Sequence, residues 1–493
     1  MENLVQDPRL VATNNLKENN SIGSVVFQEH FPITPISTAS QDQVEFVVPA
    51  NSNGLIDLKG SYIVSGLTMK VGGGGNAPSS WAPTNSHSYK ENIGDVLWKD
   101  VKIFINGVEV QDNHPNLYHH SAFYKRVLDD QGGNGTSVLY DAPRVQSVAS
   151  LSTTLDQPHA RYAGWKGVEG LDLAGDGEAG NQLIVPSDTS ALPSHRAYGV
   201  YRRYIANNLD TNPLEVITKL QDGIFNQPFF LPPNCDIRIL LTRSSNLQLT
   251  YSNTSGGSEF TEIKSSILYV KRAYPIPSAM EQFNRSLALS PLVYNLKYTR
   301  IVQRSIPALT SSIQETNLLN GVVPDRVLVA FLPTLAMTGS YQVSPFISSG
   351  VNNKTINNNI TSIYVNANGR QYPQRQYVLN DNGAVEHKRI NGARAYMDYV
   401  NAWAEDNDVF PQDSPPITYD NWCSNYTFFC FDLRADKLNE NGYTTDLNNR
   451  GSIEVLATQA NNTALVATTM LVMGITNAKV FIDANRNVSK QGF

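Results

Sequence analysis

Apolar and polar residues alternate with a period of two along much of the 493-residue chain, as expected of strands that bury one face. Val101, Ile103 and Ile105 point one way, while Lys102 and Phe104 point the other. Asn106-Gly107 then supplies a tight hairpin turn. Ile237, Ile239 and Leu241 alternate in the same manner with Asp236, Arg238 and Leu240. Further strands are predicted over 44–48, 56–71, 263–271, 326–332, 363–365, 426–433, 453–458 and 478–483, separated by stretches rich in Gly, Pro, Asn and Ser. Many short strands joined by long irregular connections predict an all-β sandwich or jelly roll.

Two helices are predicted. The first covers 213–222, with Asn212 as cap, Pro213 at the first helical position, Glu215 three residues after the cap and Gly223 as a left-handed end. The second covers 392–404, with Asn391 before it and Ala393, Tyr396, Val400 and Trp403 along one side. Both are short and amphipathic, which suits lids over the end of a sandwich.

These elements recur in order. The first half runs from the strand at 101–105 through an Asn-Gly turn and an insertion to the helix at 213 and strands at 236–242 and 263–271. The second half runs from 363–365 through Asn366-Ala367-Asn368-Gly369 to the helix near 392 and strands at 426–433 and 478–483. The repeat lies in structural punctuation more than in residue identity, and it predicts two tandem copies of one β fold. The join is expected near 273–290, where Pro275 and Pro277 follow a strand. Two insertions lengthen the first copy: one opens with Gly72–Gly75 and passes Trp81 and Pro83, the other spans about 129–193. Rigid scaffolds tolerate such insertions at loop tips.

Composition narrows the functions open to this fold. Hydrophobic residues make up 41% of the chain, enough for a substantial core, and charged residues only 17%. The net charge of −6 and pI of about 5.8, with no Lys/Arg run, argue against wrapping nucleic acid, which needs a basic face. Three cysteines, Cys235, Cys423 and Cys430, are too few for a disulfide framework or a cysteine zinc site, and reduced thiols in a packed core are expected. The polar stretch from Met1 to Asn20 is not a secretion signal, so the sequons at Asn253 and Asn425 are expected to stay unmodified. The longest apolar tract, residues 464–475, is too short to span a bilayer as a helix.

No catalytic constellation emerges. Gly72–Asn76 lacks the Gly-Lys-Ser/Thr of a phosphate-binding loop, and neither a Gly-x-Ser-x-Gly elbow nor a His-Glu-x-x-His helix is present. His114, His119 and His120 form the one histidine cluster, but neighbours at 119 and 120 diverge on either a strand or a helix. Polar surface or interface histidines are therefore expected, with a shared metal the weaker alternative. Asp172, Asp176 and Glu178, and separately Glu405, Asp406, Asp408 and Asp413, offer oxygen ligands for calcium but lack the spacing of an EF-hand. They read as solvated acidic loops. No catalytic, metal or cofactor-binding residue is assigned, and no cofactor is expected.

Several segments together resemble one family, the double jelly-roll major capsid proteins of Polinton/Maverick-type elements, adintoviruses and adomaviruses. Val44-Glu45-Phe46-Val47-Val48-Pro49, followed by Leu55-Ile56-Asp57-Leu58, Tyr62-Ile63 and Leu67-Thr68-Met69-Lys70-Val71, is similar to the opening strands of that family. The most specific block is Leu220-Gln221-Asp222-Gly223-Ile224-Phe225 leading to Leu231-Pro232-Pro233-Asn234-Cys235-Asp236-Ile237-Arg238-Ile239. In the second half, Pro324-Asp325-Arg326-Val327-Leu328-Val329, Gly339-Ser340-Tyr341, Pro345-Phe346, residues 426–433 and Ile482-Asp483-Ala484-Asn485-Arg486-Asn487-Val488 resemble further blocks in the same order.

The resemblance implies an all-β chain of two tandem eight-stranded jelly rolls with few short helices: an arm over 1–35, a first roll over 36–278 and a second over 279–493. It implies a non-enzymatic major capsid protein. Trimers of double rolls would form pseudo-hexameric capsomers that tile the icosahedral shell of a double-stranded DNA virus or virus-like element. Expected partners are further copies of the chain, then penton and minor or cement capsid proteins, with no specific nucleic-acid binding and no transmembrane segment. The expected location is the virion. The arm, polar with scattered Leu4, Leu10 and Val11, is expected on the inner side of the shell. The alternatives are a carbohydrate-binding or carbohydrate-active β-sandwich protein, which would need a carboxylate pair or an aromatic platform, and a single-roll penton-like or minor coat protein.

Overall fold

Alternation of buried and exposed side chains, seen in the sequence, carries through to a computed structural model of the chain. It describes residues 21–33, 36, 43–51, 54–72, 78–79, 87–90, 92–129, 213–252, 258–339, 345–346, 348, 360–379, 391–407, 415–417, 419–424, 426–434, 450–459 and 467–492. The first half begins with β1 (Ile22–His30), β2 (Gln43–Val48), β3 (Leu55–Gly72), β4 (Pro78–Ser79) and β5 (His87–Tyr89). The short helix α1 (Ile93–Val96), β6 (Trp98–Ile105), β7 (Val108–Glu109) and α2 (Tyr118–Asp129) follow. After the long insertion come β8 (Leu214–Thr218), α3 (Gly223–Asn226), β9 (Ile237–Arg243), α4 (Asn246–Leu249), β10 (Thr250–Ser252) and β11 (Ser258–Pro275).

Helix α5 (Pro277–Leu289) joins the halves. The second half contains β12 (Leu292–Ile306), β13 (Ser312–Val322), β14 (Arg326–Pro333), α6 (Thr334–Thr338), β15 (Ile360–Ala367) and β16 (Arg370–Val378). It closes with α7 (Ala393–Asn407), α8 (Tyr419–Ser424), β17 (Phe428–Asp432), β18 (Arg450–Gln459), β19 (Thr468–Ile482) and β20 (Val488–Gln491).

The two halves have one topology. Sheets of the first half run β1-β11-β3 with β8 also on β3, and β2-β9-β6-β7. Those of the second run β12-β19-β14-β17 and β13-β18-β15-β16. With the accessory strands β4, β5, β10 and β20 set aside, each half has eight strands among the described residues. Numbered by position within its half, each pairs them first-eighth-third-sixth and second-seventh-fourth-fifth, all antiparallel. That order is a jelly roll, and it occurs twice.

Hairpin chemistry fixes the register where the sequence predicted it. Asn106 (φ 48°) and Gly107 (φ 79°) turn β6 into β7, and Asn368 (φ 49°) with Gly369 (φ 79°) turns β15 into β16. The two turns lie at the same point of the two rolls. Ile237, Ile239 and Leu241 face the core as predicted, with Ile239 paired between Phe46 of β2 and Ile103 of β6. Cys235, Cys423 and Cys430 are buried and not joined in disulfides, as expected.

Several expectations need correction. Residues 214–218 form β8 instead of a helix. Val216, Ile217 and Thr218 are β-branched, and the run pairs with β3 while burying Val216 and Thr218 on one face. Gly223 does not adopt a left-handed conformation; it begins α3 after Asp222.

The predicted helix at 392–404 is α7, but its buried side is Ala395, Tyr399, Val400, Ala402 and Trp403, with Ala393 exposed and Tyr396 half-buried. Its counterpart in the first roll is α2, since each follows the fifth strand of its roll. Likewise the counterpart of β9 is β18, not the strand at 426–433.

Strand β1 lies within residues 1–35 and forms the edge of the five-stranded sheet beside β11. The Gly-rich loop after Gly72, the insertion at 130–212, the sequon residues Asn253 and Asn425, and Asp172, Asp176, Glu178, Asp408 and Asp413 lie outside the described residues.

Candidate functional site

Among the described residues, a cluster of buried ionisable side chains lies beside the seam between the rolls. Residues following β7 enter it first. The Asn113 amide donates to the Thr299 carbonyl at 2.9 Å, and the Ile301 amide donates to the Asn113 carbonyl at 2.9 Å, so one residue of the first roll extends the second roll's β12. Asp112 and His114 flank it and are both buried.

A polar network surrounds these contacts. The Lys125 ammonium donates to the Asp112 carboxylate and, at 2.7 Å, to the Gln221 carbonyl. The Asp112 amide donates to Asp222 Oδ1 at 3.0 Å, and His114 Nε2 lies 3.0 Å from the same oxygen. His114 Nδ1 is 3.8 Å from Asp100. Burial disfavours the charged form of His114, but the Asp222 carboxylate offsets this and holds the imidazole above its ordinary value. Burial likewise pushes Asp222 up, while the charge and hydrogen bond of His114, with Lys125 behind it, bring it below the usual carboxylate range. The pair is thus a buried ion pair joined through His114 Nε2 and Asp222 Oδ1, while His114 Nδ1 and Asp222 Oδ2 have no hydrogen-bond partner.

Backbones approach closely here. A Cβ on Gly223 would lie 2.7 Å from the Lys297 carbonyl oxygen of β12, so only glycine lets α3 sit against the second roll.

Apolar packing completes the seam. Phe123 of α2 stacks on Phe346 at 4.3 Å with rings 6° from parallel, and Tyr426 lies 5.8 Å away. Tyr124 and Tyr399 meet Phe428 edge-on from the two rolls' helices, and the Tyr399 hydroxyl donates to the Val127 carbonyl at 3.2 Å. Farther along, Arg486 Nε donates to the Pro233 carbonyl at 2.6 Å, and Tyr294 donates to the Phe230 carbonyl at 2.9 Å. The apolar core is continuous through both rolls.

His114, His119 and His120 are therefore not surface residues, as the sequence suggested. All three are buried in the seam: His114 is ion-paired, while His119 and His120 are adjacent on α2 with ring centroids 4.3 Å apart. Among the described residues no group of three His, Cys, Asp or Glu side chains is placed to hold a metal ion. No helix among them is long and apolar enough to cross a membrane. Sequence reasoning missed Asp112, Lys125 and Asp222 as a cluster because they lie on three separated segments. The helical spacing of Tyr118, Ala122, Phe123 and Val127 was the legible signal for α2.

No protein-family model and no curated protein matches the chain. Solved structures do. A chain of the Sputnik virophage aligns at TM-score 0.54 and 12% identity, covering 99% of this chain and 92% of that one. The Faustovirus major capsid protein aligns at 0.52 and 10%, covering 96% and 92%. A chain of the PBCV-1 virus capsid aligns at 0.52 and 11%, covering 97% and 98%. The fold is the double jelly roll of viral capsid proteins. Each likeness spans both rolls, the joining helix and the seam. The seam is internal to that fold.

Proposed function

We propose that this chain is a major capsid protein, the repeated building block of an icosahedral shell around double-stranded DNA, and that it has no catalytic role. The observation that carries the reading is the two-roll topology shared along almost the full length of chains from viral capsids. Three double rolls around a three-fold axis present six similar sandwiches, and that near-hexagonal outline tiles a lattice. Heterologous contacts between unlike faces close such a ring. The low charge content limits repulsion among many close copies.

Edge strand β1 supplies surface suited to such contacts. Val25, Val26 and Phe27 are each about half exposed, at 48%, 46% and 47%, beside an edge that pairs with no further strand among the described residues. Penton and minor capsid proteins are the further partners in this reading, and the virion is the location. We divide the chain into two rolls at 278/279 as the sequence suggested, and place β1, which falls in the suggested arm over 1–35, with the first roll.

Size-exclusion chromatography with light scattering on the full chain tests the proposal. A stable trimer, and hexagonal capsomers or shells in electron micrographs, are the expected results. A monomer at micromolar concentration that retains or hydrolyses glycans would overturn it in favour of a carbohydrate-active sandwich.

A further inference from the structure

His119 and His120 open α2 and are sealed from solvent, at 1% and 0% exposure. None of their four ring nitrogens has a hydrogen-bond partner. His120 meets the Phe346 ring edge-on at 5.7 Å, on the same aromatic side chain that Phe123 stacks against. The pair therefore lies where α2 touches the second roll.

Among the described residues, the charged groups around the pair offer it no counter-ion. Lys90, itself buried, donates its ammonium to the Leu247 carbonyl at 2.7 Å and raises the local positive potential, as does His114. The carboxylates of Asp112 and Asp222 are taken by Lys125 and His114, and Asp95 of α1 is held by Arg126 and by the Asn92 amide. The second roll presents uncharged rings, Phe346 and Tyr426. A proton arriving on either imidazole creates a buried charge facing cations and aromatic carbon, an expensive arrangement.

We propose that His119 and His120 form an acid-operated latch: neutral, they seal α2 against the second roll, and protonated, they drive α2 off Phe346 and open the seam. Burial holds His119 down at about 3, with Lys90 and His114 adding to the effect, and burial with His119 holds His120 well below its ordinary value. Once α2 is open, each ring regains a value near 6.5. The open state then binds more protons than the closed one between these limits, so opening becomes easier as pH falls below about 6.5. For His119 alone, the equilibrium at pH 5 moves toward the open state by about thirty-fold.

The test is hydrogen exchange of the full chain at pH 7 and pH 5, corrected for intrinsic rates, on wild type and on a His119→Leu/His120→Leu double variant. In wild type, protection of residues 118–129 is expected to drop about thirty-fold or more at pH 5, well beyond any change in β9. The double variant is expected to keep its protection. Unchanged protection of α2 in wild type, or an equal loss in the double variant, overturns the latch. Should the double variant not fold, histidine ring resonances of wild type decide: two imidazoles that stay neutral in the closed state down to pH 5 support the proposal, and titration of all rings near 6.5 overturns it.

Discussion

The stacked pair Phe123–Phe346 is the most direct probe of whether the seam couples the two rolls. Phe123 is fully buried, with Phe346 against its face, Tyr124 at its edge and Tyr426 beside it. Truncating such a ring removes its burial and leaves a cavity in a seam walled by α2 on one side and by Phe346 and Tyr426 of the second roll on the other. Phe123→Ala should therefore cost about 3–5 kcal/mol, toward the upper end because neither wall can collapse freely. The stack itself should contribute about 0.5–1.5 kcal/mol beyond area burial. A double-mutant cycle with Phe346→Ala isolates that share, since truncating one ring removes the stack and the second truncation cannot remove it again.

The assay is urea unfolding followed by tryptophan fluorescence, with Trp98 buried in the first roll and Trp403 and Trp422 buried in the second. Wild type is expected to unfold with both rolls moving together. The double variant is expected to separate into two transitions, at which point each must be fitted by itself because a single unfolding free energy loses its meaning. Effects that add to within about 0.3 kcal/mol, or a single transition in the double variant, would refute the claim that aromatic packing carries the coupling.

Three other outcomes test the seam and the core. Ile239→Asp places a carboxylate at a site 1% exposed between β2 and β6, and the soluble trimer proposed above should be lost, as read by light scattering. Gly223→Ala forces a Cβ to within 2.7 Å of the Lys297 carbonyl oxygen and should destabilise by about 1–3 kcal/mol in thermal melts, whereas Gly107→Ala, with open space around it but φ at 79°, should cost about 1 kcal/mol. Asp222→Asn leaves His114 buried without its carboxylate and should cost about 3–5 kcal/mol near neutral pH. Its pH dependence has a defined sign. Stability from the raised His114 is present below about 6.5 and lost as pH rises through its folded value, while stability from the depressed Asp222 is present above about 3.8 and lost as pH falls through its folded value. The variant's stability profile should lose both limbs.

The core strands were legible because period-two alternation is a direct imprint of a sheet with one dry face. Residues 101–105 and 237–241 needed nothing further, and Asn-Gly at 106–107 and 368–369 marked the hairpins through the left-handed backbone they require. The segment 213–222 misled because capping chemistry is local, whereas the strand it forms depends on β3, some 150 residues earlier in the chain. Pro213 and Glu215 suit a helix start, but three β-branched residues at 216–218 and a waiting sheet edge outweigh them. The seam was illegible for a related reason. Asp112, Lys125, Asp222 and Lys297 are separated by up to 185 positions, from 112 to 297, and nothing in their immediate neighbours distinguishes a buried ion pair from solvated charges.

Helices α2 and α7 follow the fifth strand of their respective rolls, and they pack together through Val127 and Tyr399. A sandwich alone closes its core at the sides with strands but leaves its ends to loops; a helix inserted at the same topological point in each roll closes one end and gives the two rolls matching surfaces to join. Because both rolls lie in one chain, the two helices need not be alike. Helix α2 carries the histidines and Lys125, while α7 carries Tyr396, Tyr399 and Trp403. Two separate copies of one roll would have to place the same residues on both sides of their junction. Fusion removes that constraint. It allows an unsymmetrical seam in which the first roll supplies the Asp112–Lys125–Asp222–His114 cluster and both rolls supply aromatic rings, leaving the outer faces and the β1 edge for the contacts proposed above.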